Sequence, residues 1–408
     1  MSQQGPIIVV SNAGRPAFAR ALDDARMFPI IDTGWADAAG AVAQVQPAAV
    51  LVAMSDVGPG FEDLAGQIAA RQPYLPLIAI DPRTALPENA LPFSQAGGNF
   101  DRLAARLRAA LRIRTLHSTV LRRLDDPKAQ TTLAQTDPAR EATVLLIGRG
   151  AAFPSLSVSL GERMRIVGAL SIEAAAKHLN VRDIDGIVLA EGFSARVTDA
   201  FLSVLAEDAR FRNLPVVLTT DGLAPVYDLP NLEIISGAPE LIAANVLPLV
   251  RQHAFEAHLS RTLRSIDAGG LIDPRTGLLT SEAFERDIAT AIYQTQSRGG
   301  GLSVARFAFD ASHPRAQLDG ARILSRLMRQ MDFGAIRDDG SVLVAFAETD
   351  LRTAHMVARR LCSVMRHTSH GKRDTRSEPV VTLATLLPSD SAKTLLARLY
   401  DDTRRVAS

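Results

Sequence analysis

Residues 329–350 read RQMDFGAIRDDGSVLVAFAETD. Arg329 and Asp332 stand where an apolar-periodic run (Ile323, Leu324, Leu327, Met328) gives way to FGAI. This spacing predicts a helix end passing into a strand, with both side chains on one face. The pentad DDGSV follows from Asp338 to Val342, and residues 341–346 are apolar enough for the buried second strand of a hairpin.

Upstream, Asp273 opens DPRTGLLTSEAF, and GGLSVARFAFD supplies a strand ending near Ala308 and Asp310. Together with R-x-x-D and DDGSV, these pieces resemble the GGDEF family of diguanylate cyclases over nearly all of residues 273–408. That family opens its domain with D-x-L-T-G-L-x-N-R-x-x-F and places its signature five residues after an inhibitory R-x-x-D site. The resemblance implies an α+β domain of the nucleotidyl-cyclase type, with a central antiparallel-rich sheet and helices on both faces.

Cyclisation in the family needs two metal ions to clamp the triphosphate. Here the strand ligand falls at Ala308, and Asp310 matches the Asp that follows it. The signature becomes Asp338, Asp339, Gly340, Ser341 and Val342, so its glycines are acids and its acids are Gly and Ser. Carboxylates at the glycine positions would repel a phosphate that must approach the backbone closely. The guanine-recognition loop is shortened to ASHPRAQLDGA, the opening Asn and Arg are Thr280 and Ser281, and the late phosphate lysine falls at Thr403. The expectation is therefore no enzyme, with no catalytic residue, no metal and no cofactor. A new metal cluster of Asp310, Asp338 and Asp339 is disfavoured, because hairpin aspartates usually sit solvated in turns.

What survives is the R-x-x-D site. A guanidinium matches guanine O6 and N7 with paired donors, and a carboxylate can accept from the base's other edge. The resemblance implies cyclic di-GMP as ligand of Arg329 and Asp332, with a second arginine at Arg360 in RTAHMVARRLC. An ordinary surface ion pair is the competing explanation of the same two residues.

Towards the N-terminus the chain is a doubled pattern. Residues 6–12, FPIID, PAAVLVAM and YLPLIAID read as strands alternating with helices, one of them from Arg15 to Met27. ATVLLIG, RIVGAL, DGIVLAEG, LPVVLTTD and LEIISG repeat that order. Continuous apolar strands alternating with helices imply parallel sheets covered on both faces. Each repeat ends in a long helix, the first over residues 100–124 with Leu103, Leu107, Leu111 and Leu116 near one stripe, the second from Pro239 towards Ile266. The repeats resemble receiver domains of two-component response regulators, flavodoxin-like in fold. Their phosphoacceptor positions fall at Ala53 and Ala190, with Asp56 and Glu191 nearby but out of register, and no lysine follows either fifth strand. Alanine cannot be phosphorylated, and without carboxylates there is no hard-cation site. Thr219 or Thr220 matches the family's switch hydroxyl, although a strand-end threonine needs no function.

The expected order is thus α/β: a pseudo-receiver (1–124), a polar linker (125–141), a second pseudo-receiver (142–266) and a degenerate GGDEF domain (267–408). Lys and Arg total 45 against 44 Asp and Glu, and they form no basic block that would mark nucleic-acid binding. The single cysteine, Cys362, excludes an intramolecular disulfide and sits among Val357, Leu361 and Met365 as buried filler. No apolar run is long enough for a membrane span, and residues 1–12 lack a signal peptide's basic region. These features suit a cytoplasmic bacterial signalling protein. The resemblance implies a homodimer that senses cyclic di-GMP and acts through protein partners, such as a protease or a cell-cycle regulator at a cell pole. A scaffold that binds proteins without nucleotide is the alternative, and an active cyclase the third.

Overall fold

The computed structural model describes residues 5–24, 28–95, 100–124, 130–131, 133, 136–220, 227–310, 312, 314–368 and 379–406, with side chains excepted at 101, 366–368 and 401–406. Met27, much of the expected linker and the Thr403 side chain lie outside them. The chain divides into two compact units, Met1–Ala176 with Ile184–Ser260, and Lys177–Asp183 with Arg261–Ser408.

The first unit holds both repeats apart from residues 177–183 and 261–267. In the first repeat the strands are β1 (Ile7–Val10), β2 (Ile30–Thr33), β3 (Ala49–Ala53), β4 (Leu77–Ile80) and β5 (Ala90–Phe93). Helices α1 (Ala17–Asp24), α2 (Ala38–Val45), α3 (Phe61–Ala69) and α4 (Asp101–Arg123) connect and follow them. The sheet is parallel, in the order β2-β1-β3-β4-β5. That is the strand order of flavodoxin-like doubly wound sheets. The second repeat has β6 (Thr143–Ile147), α5 (Phe153–Gly161), β7 (Arg165–Ala169), α6 (Ile172–Val181) and β8 (Gly186–Leu189). It continues with α7 (Ala195–Glu207), β9 (Val216–Leu218), β10 (Leu232–Ile234) and α8 (Pro239–Asp267). Its sheet is again parallel, β10-β9-β8-β6-β7.

Strand β1 shows why these runs carry no polar alternation. Ile7 and Val9 face one core, Ile8 and Val10 another, so both sides of the pleat are dry. The first of those cores is common to the two repeats: Leu103, Leu107 and Leu111 of α4 join Ile242, Val246, Leu249 and Val250 of α8. The stripe on α4 departs from the expected one. Leu116 is only half-buried, and the buried face runs on through Ile113, His117 and Val120. Arg106 lies on that face, fully buried.

The second unit contains α9 (Ser281–Arg298), β11 (Leu302–Ala308), α10 (Pro314–Leu327), β12 (Phe333–Ile336), β13 (Val342–Ala347), α11 (Leu351–Thr368), β14 (Val380–Thr385) and α12 (Ala392–Val406). Its sheet is antiparallel, β12-β13-β11-β14. Helices α10 and α11 cover one face through Ala321, Leu324, Ala354, Ala358 and Leu361 against Phe307, Val342, Val344 and Phe346. Helices α9 and α12 cover the other through Phe284, Ile288, Leu395 and Leu399 against Val304, Leu343 and Ala345. Cys362 is buried in the α10–α11 core. Among the described residues no helix is long and apolar enough to cross a membrane.

Candidate functional site

The link between α10 and β12 is held by its own backbone and by Asp332. The Asp332 N–H donates to the Arg329 carbonyl at 3.0 Å, and the Arg329 N–H donates to Asp332 Oδ2 at 3.3 Å. The two side chains part company here, against the expectation of a shared face. Arg329 is exposed, whereas Asp332 is 8% exposed. Strand alternation explains this. Phe333 packs on Phe284 of α9, with ring centroids 5.6 Å apart, so the residue before it turns towards the opposite side of the sheet. Burial pushes the Asp332 carboxyl above its ordinary range, while N–H bonds from Arg329 and Ala347 and the Arg329 charge pull it back only in part. Its Oδ1 is buried with no hydrogen-bond partner. Arg360 is exposed on α11, the helix that shares its face of the sheet with α10. Among the described residues neither the Arg329 nor the Arg360 guanidinium makes an ion pair.

The DDGSV hairpin is arranged differently. Between β12 and β13 the chain turns through Asp338, Asp339 and Gly340, with Arg337 and Ser341 paired by an N–H···O bond of 2.8 Å. Gly340 sits at φ 75°, where a side chain would be strained and would meet Gln317. From β11, the Arg306 guanidinium reaches Asp339 Oδ2 at 2.9 Å and Ser341 Oγ at 3.2 Å. It also lies over the Tyr400 ring, 4.5 Å from the centroid. Ser341 donates from both N–H (2.9 Å) and hydroxyl (2.6 Å) to Asp339 Oδ1. Burial pushes the Asp339 carboxyl up, but these hydrogen bonds and the guanidinium outweigh it and hold it below the usual carboxylate range. Asp338 is exposed, and Asp310 accepts from the N–H and hydroxyl of Ser312. These residues do not fit a divalent cation: a fixed guanidinium already neutralises the hairpin carboxylate, and Ala308 at the strand end offers no ligand. Among the described residues no group of three or more His, Cys, Asp or Glu side chains could hold a metal ion.

Other residues of the opening motif have local work. Asp273 accepts from the Arg275 N–H (3.0 Å) and the Thr276 hydroxyl (2.6 Å), closing a loop completed by Gly277 at φ 76°. Thr280 caps α9 by accepting the Ala283 N–H at 3.3 Å.

In the first unit Ala53 and Ala190 stand at or just beyond the ends of β3 and β8, both buried. The carboxylates noted beside them turn back onto the loops after β1 and β6. Asp56 Oδ2 accepts from Ser11 Oγ (3.1 Å), from the Ala13 N–H (2.8 Å) and from the Asn12 N–H. Glu191 Oε1 accepts from the Ala152 N–H at 3.0 Å. Thr219 continues the strand pairing through its N–H to the Leu189 carbonyl.

Sequence reasoning missed one constellation. Arg106 and Glu233, both fully buried, meet at 2.6 Å. Arg106 also donates to the carbonyls of Pro230 (2.7 Å) and Pro92 (3.1 Å), and Glu233 accepts from the Ser94 N–H at 2.9 Å. Burial pushes the Glu233 carboxyl up and the guanidinium down, and each charge opposes the other's shift. The available signal was a carboxylate in the middle of LEIISG, a strand otherwise apolar.

No family model and no curated protein matches the chain. Among solved structures it is similar to the coiled coil and GGDEF domain of DgcB from Caulobacter crescentus in complex with c-di-GMP. Identity there is 15%, covering 36% of this chain and 87% of that one, with a TM-score of 0.31. It is also similar to a sensory box/GGDEF family protein from Caulobacter crescentus CB15, at 21% identity, 33% and 96% coverage and a TM-score of 0.28. A further match is the FimX GGDEF domain from Pseudomonas aeruginosa, at 17% identity, 33% and 94% coverage and a TM-score of 0.30.

Proposed function

We propose that the chain is a catalytically inactive relative of the GGDEF cyclases that binds cyclic di-GMP at the Arg329–Asp332 turn and acts as an effector through protein contacts. The observation that carries this reading is the contrast between two arginines of one unit. Arg306 is engaged with Asp339 and Ser341 in the former signature, whereas Arg329 is presented to solvent on a turn that Asp332 holds from beneath. An exposed guanidinium can pair with guanine O6 and N7 or with a phosphate. In this reading Asp332 positions the turn that presents Arg329, its carboxylate accepting the Arg329 N–H from the buried side. Arg360 meets phosphate. Calorimetry with cyclic di-GMP tests the assignment.

The partner classes remain those implied by the resemblance, a protease or a cell-cycle regulator, engaged in the cytoplasm or at a pole. Homodimerisation belongs to the same proposal, through surfaces other than the apolar stripes of α4 and α8, which are buried against each other. One observation favours the nucleotide-independent scaffold instead. Asp332 is turned inward, so the pair does not face solvent together. Pull-downs with and without cyclic di-GMP separate the two readings, because a scaffold retains identical partners in both.

A further inference from the structure

The first unit contains a cavity of about 590 Å³ between its two repeats, at the edge of the β1–β5 sheet opposite the strand ends that carry Ala53. Its size lies in the range of small-molecule sites. Ile68, Leu75 and Leu91 supply apolar wall, and Phe255 of α8 supplies an aromatic one. Tyr74 and His117 pack around Phe255, with ring centroids 5.8 Å and 5.0 Å away.

The polar groups lining it are mostly donors. His117 Nδ1 accepts the Tyr74 N–H at 2.9 Å. Burial and the Arg114 charge lower the His117 pKa to about 4, so near neutral pH the ring is uncharged and carries its proton on Nε2. Gln252 Nε2 donates to the Tyr74 hydroxyl at 3.0 Å, which leaves the hydroxyl proton to give, and burial keeps that phenol protonated. Two arginines complete the wall. Arg251 is matched by Glu88 and by Asp137 at 3.1 Å. Arg71 touches only the Val42 carbonyl, at 3.4 Å, and has no carboxylate partner among the described residues. The lining therefore carries one unmatched positive charge, two neutral donors and an aromatic face.

We infer that this cavity is a binding site for a small planar aromatic anion, its ring against Phe255 and its charge on Arg71, with the Tyr74 hydroxyl and His117 Nε2–H as further donors. The site is separate from the Arg329–Asp332 turn and from the strand ends where receiver chemistry would lie.

The test titrates the full-length protein with 1-naphthoate and with its neutral isostere 1-naphthamide, followed by calorimetry. Wild type should bind naphthoate saturably at one site per chain, and the amide about tenfold more weakly, as loss of a charge-assisted hydrogen bond implies. Arg71→Ala should lose a similar factor, and Phe255→Leu should weaken both probes alike. Absence of saturable binding by wild type at millimolar probe overturns the inference. So does equal affinity for acid and amide, or undiminished binding in Arg71→Ala. The acid–amide comparison needs no variant and stands even where Phe255→Leu fails to fold.

Discussion

The Arg306 guanidinium lies 2.9 Å from the Asp339 carboxylate, bridging β11 to the turn of the DDGSV hairpin. A guanidinium thus already neutralises the hairpin carboxylate that a divalent cation would need as a ligand. With GTP and Mg²⁺ or Mn²⁺, the purified protein should form no cyclic di-GMP above a no-enzyme control. Arg306→Ala should not restore turnover, since Ala308 still supplies no carboxylate. Product from either protein would contradict the non-catalytic reading.

Asp339 titrates below its ordinary value in the folded chain, so it stabilises the fold fully above the unfolded carboxylate pKa. That contribution disappears as pH falls through the lowered folded value. Urea melts of wild type and Asp339→Asn should therefore differ most near neutral pH and converge in acid, below the lowered folded value. Because Asp339 is partly exposed, the neutral-pH difference should be small, about 1 kcal/mol or less. A gap that widens on acidification would remove the ion pair from this account.

Asp332 should behave with the opposite sign. Burial raises its folded pKa, so the folded chain takes up a proton more readily than the unfolded one. Relative to Asp332→Asn, wild type should gain stability as pH drops below the raised folded value, with the gain complete below the ordinary carboxylate pKa. The same melts read this. A wild type that loses ground to the amide variant in acid would show that the carboxylate is not buried as described.

The Arg106–Glu233 pair predicts a third stability pattern. Arg106→Ala leaves buried Glu233 with only the more distant Arg102 guanidinium, at 3.8 Å, and the Ser94 N–H, which should cost up to about 3–5 kcal/mol in the first unit. Replacing both residues together by Met and Leu should cost less, because the buried carboxylate is removed along with its closest cation. Equal losses in the single and double variants, followed by denaturant unfolding, would exclude a coupled pair.

Local signals carried the strands and the hairpin. Runs such as residues 7–10 and 143–147 are apolar throughout because both faces of a parallel sheet are covered, and that is visible in composition alone. The antiparallel sheet of the second unit followed from the resemblance on residues 273–350. Long-range pairing was not legible. Arg106 reads as one more solvated charge on an amphipathic helix, and its partner stands 127 residues away. Leu116 misled for a related reason. The packing of α4 against α8 draws the buried stripe through His117, and only the tertiary contact selects between them. At the R-x-x-D turn the passage from helix to strand was legible and the inward turn of Asp332 was not, because the strand that begins at Phe333 decides which way Asp332 points.

Calorimetry of cyclic di-GMP with wild type and Arg329→Ala tests the central claim most directly. Wild type should bind, and Arg329→Ala should lose roughly 5- to 150-fold in affinity, the worth of one bidentate base contact of about 1–3 kcal/mol. Arg360→Ala should lose less, and Asp338→Ala, on the exposed hairpin, should lose nothing. No binding by wild type, or wild-type affinity retained in Arg329→Ala, would contradict the account.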